Sequence, residues 1–175
     1  MTAFATATAI ASFVIFAGFV ALGVKKFGWR KSYSDYAAKW NEAYPIHNVN
    51  VWSLITVIVA FLLFPSMIER GEGHPWQFLG FFAPIYLCIA AFTPKYQTDK
   101  TQHRVHVFGA IGCALISLLW LILICKTWWV ILIFAFLAWC ASYSINVHKE
   151  NPEYGVIFWG EMTMFASVYT TLLLL

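Results

Sequence analysis

The chain has 175 residues, of which 61% are hydrophobic and only 11% charged, with a formal net charge of +3. At a mean hydropathy of +0.72 there are too few charges to cover a water-soluble domain, so the chain takes lipid as its solvent. Its cations are scattered among aromatic residues rather than gathered into a groove, which argues against a nucleic-acid partner and for membrane lipids.

A bilayer crossing takes about 20 apolar residues. The pattern therefore predicts an all-α polytopic integral membrane protein, a single transmembrane domain over residues 1–175. Six transmembrane helices in a compact bundle are expected, over residues 3–24, 51–68, 76–93, 106–125, 128–143 and 155–175. The first run lacks the basic start and the cleavage site of a secretory signal and is read as a span.

Between the first two spans, Trp29, Tyr33, Tyr36, Trp40 and Tyr44 recur at helical spacing with Arg30, Lys31 and Lys39 among them. This predicts an amphipathic interfacial segment over residues 27–44, with Trp29, Arg30, Tyr33, Tyr36 and Trp40 at the lipid headgroups. Pro65 lies near the end of the second span, and Pro84 is expected to kink the third. A polar hinge follows at residues 94–109, where Asp99, His103 and His106 stand at i, i+4 and i+7, one face of a helix that starts there. Gly109 and Cys113 form a small-xxx-small pair suited to close helix approach. The last span is interrupted by one carboxylate, Glu161. Cys88, Cys113, Cys125 and Cys140 form no CxxC pair and read as small packing residues.

Of the eleven lysines and arginines, only Arg70 and Lys126 fall outside the first, third and fifth connections. The positive-inside rule then puts those connections in the cytoplasm and both termini outside. It also gathers His47, His103, His106 and His148 at one face, with Glu161 roughly 10 Å below it at 1.5 Å per residue.

Three chemistries fit that cluster. Imidazoles and a carboxylate suit zinc or iron, with His103, His106 and Asp99 as metal ligands and a lipid headgroup as substrate. Alternatively Glu161 is the buried group of a proton-linked or ligand site, with Asp99, His103, His106, His47 and His148 at its mouth. A carboxylate in lipid is costly unless neutral, paired or facing a cavity, and His103, Arg104 or His106 is its expected partner. The third reading makes the chain a structural subunit, either a homo-oligomer or part of a membrane complex.

The run FTPKYQTDKTQHRVHVFGA, followed by a closing helix with YGVIFWGEM, resembles the six-span Frag1/DRAM/Sfk1-like membrane proteins and related bacterial families. The matching positions are Pro94, Asp99, His106, Gly109, Ala110 and Glu161, although Trp159 precedes Glu161 where that group has the reverse order. The resemblance implies a compact six-helix protein tied to lipid handling or membrane signalling, and no particular reaction.

Overall fold

The computed structural model describes residues 1–44, 50–93, 96–146 and 156–175. Within them the chain is all helical: α1 (Ala3–Phe27), α2 (Asp35–Ala43), α3 (Val51–Arg70), α4 (Phe78–Ala91), α5 (Lys100–Leu123), α6 (Trp128–Asn146) and α7 (Val156–Leu174). Four of these, α1, α3, α5 and α7, are long and apolar enough to cross a membrane, and α4 and α6 are shorter apolar helices.

Side-chain oxygens start three of the helices by taking orphan amides of the first turn. Thr2 accepts from Ala5 N–H in α1, Asn50 from Trp52 N–H in α3, and Asp99 from Thr101 and Gln102 N–H in α5. The Asp99 cap starts α5 at Lys100, so the stretch expected to be a hinge up to Gly109 is largely helix. The membrane helices then divide into two stripes. In α5, His106, Gly109, Ser117 and Trp120 turn inward, while Phe108, Ile111, Leu115 and Leu119 are exposed. An outer row of large apolar side chains like this is a liability in water and ordinary against acyl chains.

Contacts at the helix ends make neighbouring spans antiparallel. The Thr2 hydroxyl at the start of α1 donates to Glu69 near the end of α3 at 2.7 Å. Gln77, just before α4, donates its side-chain amide to the Ile68 carbonyl at the end of α3. At the opposite end Ala90 of α4 meets His106 of α5. Thr127, before α6, bonds Thr171 near the end of α7 at 3.0 Å. Helix α4 therefore runs from the end of α3 to the level of His106 in α5.

Close approach at α4 and α5 depends on a missing side chain. A Cβ on Gly109 would lie 2.6 Å from the Ala90 nitrogen, so only glycine lets the two backbones meet there. Polar bonds link the remaining helices. Ser12 of α1 donates to the Val59 carbonyl of α3 at 3.0 Å, which commits its only proton. The Tyr169 hydroxyl of α7, 2.8 Å from the same Ser12 oxygen, is therefore the donor in that contact. Helix α6 stands apart, packing mainly on α7 and exposing Trp128, Trp129, Phe136, Trp139 and Tyr143.

Candidate functional site

The interfacial segment differs from expectation. Helix α2 covers only Asp35–Ala43, and the aromatic stripe does not face headgroups as a unit. Tyr33 and Tyr36 are buried in the bundle, at 3% and 1% exposure, whereas Trp29 is 37% exposed. The reason lies in α1: a Cβ on Gly23 would fall 2.9 Å from the Tyr36 ring, so glycine there opens a place for that ring. Tyr36 then donates to the Gly28 carbonyl at 3.0 Å, and the Tyr33 hydroxyl bonds Thr56 of α3 at 3.1 Å. Trp40 stacks on Phe19 of α1 at 5.4 Å, and the Lys26 ammonium lies over the same indole. Arg30 is half-buried beside them.

Burial pushes the Tyr36 phenol up from 10.0 to about 12, against the opposing charge of Arg30. Burial raises Tyr33 and Tyr96 as well. A phenol whose proton is held more tightly in the folded state stabilises that state fully below the ordinary tyrosine value. The contribution is lost as pH climbs through the folded value. The thermal midpoint should therefore stay level up to pH 10 and fall between there and pH 12. Tyr36→Phe should soften that fall, and an equally steep decline in the variant would contradict the assignment.

The segment before α2 is also where Glu161 is held. Its Oε2 accepts the Tyr33 N–H at 2.6 Å, while the Phe158 N–H donates to the Lys31 carbonyl at 2.9 Å. The first turn of α7 is thus stitched to residues 31–33 by two bonds of opposite sense. The expected partners, His103, Arg104 and His106, do not bond Glu161 among the described residues. His106 turns its Nδ1 toward the end of α4 instead.

His106 is 6% exposed, with Nδ1 3.0 Å from both the Ala90 carbonyl and the Thr93 hydroxyl. Tyr96 lies flat on its imidazole at 4.1 Å between centroids and extends toward the exposed His103 at 6.5 Å. The Tyr96 hydroxyl in turn donates to Asp35 at 3.3 Å, as does the Gln97 amide at 3.2 Å, joining the α4–α5 connection to α2. Asp99 does not share this arrangement, because its carboxylate is engaged in capping α5. Among the described residues no three His, Cys, Asp or Glu side chains come together as a metal-holding group, so His103, His106 and Asp99 do not form the centre considered for zinc or iron. His47 and His148, like Pro94, lie outside the described residues.

Glu161 and His106 do meet in another sense: both line one central cavity of about 150 Å³ between α3, α4, α5 and α7. At its polar end are Tyr33, Ser34, Trp52, His106 and Glu161. Beyond them the walls are apolar, with Leu87, Ala110, Ala114, Met164, Phe165 and Val168 among them. Along α5 the lining runs from His106 to Ser117, about 16 Å at 1.5 Å per residue. The cavity is an elongated slot. Trp52 and Tyr96 carry no charge and were passed over in the sequence. The signal was present for Tyr96, an aromatic ring inside the 94–109 stretch beside the two histidines.

Comparison with family models, curated proteins and solved structures finds no match to this chain.

Proposed function

We infer that the chain is a six-span membrane protein that holds a single-chain amphiphile in its central slot, in a lipid-associated transport or sensory role. The observation that carries this is the graded cavity, polar at Glu161 and His106 and apolar along α5 and α7. Ligand sites are largely apolar clefts with a few placed polar groups. The lipid handling implied by the resemblance to the Frag1/DRAM/Sfk1 group agrees with it.

On this reading the six spans are α1, α3, α4, α5, α6 and α7, and the alternating directions of neighbouring helices support counting the two shorter ones. A short helix is accommodated by bilayer thinning and snorkelling flanks at modest cost. The polar end of the slot lies with Lys25, Lys26, Arg30, Lys31, Lys39, Lys100 and Arg104, against Arg70 and Lys126 at the other end. Under the positive-inside rule that asymmetry supports a cytoplasmic polar end. Reporter fusions at either terminus should read outside, and a fusion within residues 94–99 inside. The opposite pattern would overturn the orientation.

Ala114→Phe tests the slot itself, because a ring there fills the apolar part without touching Glu161 or His106. Protein purified in mild detergent should release a stoichiometric amphiphile on extraction, measured by mass spectrometry. The variant should carry less than about a tenth of it while keeping its thermal midpoint. Equal lipid content in the two proteins would refute the reading. A structural role in a membrane complex is the second reading, favoured by the exposed aromatic face of α6.

A further inference from the structure

The geometry points to a neutral hydroxyl as the head group that the slot selects. This rests on the reading above, in which the slot holds a single-chain amphiphile, and it names which one.

The first observation is Trp52. Its side chain is 2% exposed and lines the cavity, yet the indole N–H meets no acceptor among the described residues. An indole nitrogen can only donate, and a buried donor left unmet is costly enough that native proteins rarely leave one. Trp52 therefore asks for an acceptor.

The second observation is His106, which asks for the opposite. A carbonyl can only accept, so the 3.0 Å contact to Ala90 places a ring proton on Nδ1. A neutral imidazole with its proton there presents Nε2 as a lone pair. The rings of His106 and Trp52 lie 6.0 Å apart and do not bond each other. Glu161 supplies a further acceptor, since Tyr33 occupies only one of its carboxyl oxygens.

One unmet donor, with acceptors on His106 and Glu161 lining the same cavity, is the complement of a group that both accepts and donates. A hydroxyl oxygen takes the Trp52 N–H and gives its own proton to His106 or Glu161. The alternatives each fail at one wall. A carboxylate or phosphate head brings only acceptors and gives no proton to the His106 Nε2 lone pair. An ammonium brings only donors and leaves Trp52 unmet. An ether accepts from Trp52 but gives nothing to His106 or Glu161. Pockets built to pair a hydroxyl discriminate strongly against analogues that lack it, because their own buried groups are then left unpaired.

The test uses the full chain in detergent with native mass spectrometry. The probes are hexadecanol, geranylgeraniol, palmitic acid, hexadecylamine and methyl hexadecyl ether. At least one of the two alcohols should bind about tenfold or more tighter than the acid, the amine and the ether, and the preferred alcohol tells a straight chain from an isoprenoid one. Trp52→Phe keeps the ring and removes the donor, so it should erase the preference over the amine while the chain still binds. A matched thermal midpoint shows that the variant folds. If all five probes bind alike and Ala114→Phe abolishes binding, the slot stands and hydroxyl selection is wrong. Preference for the acid or the amine would also overturn it. If no probe binds, or Ala114→Phe changes nothing, the amphiphile reading itself fails.

Discussion

Replacing Glu161 with leucine is expected to lower the thermal midpoint in detergent by about 2 to 10 °C, while Glu161→Gln stays close to the natural chain. The two substitutions differ in what they leave for Tyr33. Its N–H donates to the Glu161 carboxylate at 2.6 Å, in a segment with no helical partner for that amide. Glutamine keeps a carbonyl oxygen in reach. Leucine has roughly the right volume and no acceptor at all, so a partly buried backbone donor goes unmet at a cost of about 1–3 kcal/mol.

The loss should be local before it is global. With the Tyr33 N–H released, the Phe158 to Lys31 bond at 2.9 Å and the Tyr33 ring against Phe165 remain to tie residues 31–33 to α7. Trypsin should then cut after Arg30 and Lys31 several times faster in Glu161→Leu than in Glu161→Gln. Identical digestion and melting in the two variants would show that the carboxylate does not hold the segment. A glutamine variant that melts above the natural chain would say more. It would mean that the charge costs stability and is kept for what it does in the slot.

The membrane helices were legible because apolar length and capping residues both act locally. Thr2, Asn50 and Asp99 stand before the runs they cap, and each makes the bond that its side chain is built to make. The aromatic stripe of residues 29–44 was misread for a different reason. Its spacing reports a face but not the medium that face meets, and an aromatic ring suits a headgroup layer and a bundle core equally. What decided the matter for Tyr36 was Gly23, a small residue in another helix whose effect appears only once the two elements pack. Glu161 shows the same limit. Its cost in lipid marked it as a candidate, but its partner is a backbone amide, and amides are identical at every non-proline position. The Asp99, His103 and His106 pattern is helix geometry as expected, but the three side chains do not converge on one another as a metal-holding group. Its three members serve as a cap, an exposed ring and a buried ring bonded to α4.

Trp120 carries the second large effect, and Trp120→Ala is expected to cost about 3–5 kcal/mol, enough to prevent recovery of a monodisperse protein. The side chain is completely buried, among the largest in the core, where α5 crosses the end of α3. Its indole N–H donates to the Met67 carbonyl at 3.3 Å. Met67 is among the last four residues of α3, whose carbonyls have no amide ahead of them in the helix. Gln77 serves the neighbouring Ile68 carbonyl in the same way, also at 3.3 Å. Met67 is 1% exposed, so an unmet carbonyl there keeps its full desolvation cost. Trp120→Phe separates the two contributions, since it retains most of the packing and loses only the donor. It should cost about 1–3 kcal/mol, read as a lower thermal midpoint in a protein that still purifies. If phenylalanine costs as much as alanine, the hydrogen bond and not the ring anchors the junction. If phenylalanine costs nothing, the Met67 carbonyl is satisfied without Trp120 and the capping account of this helix end fails.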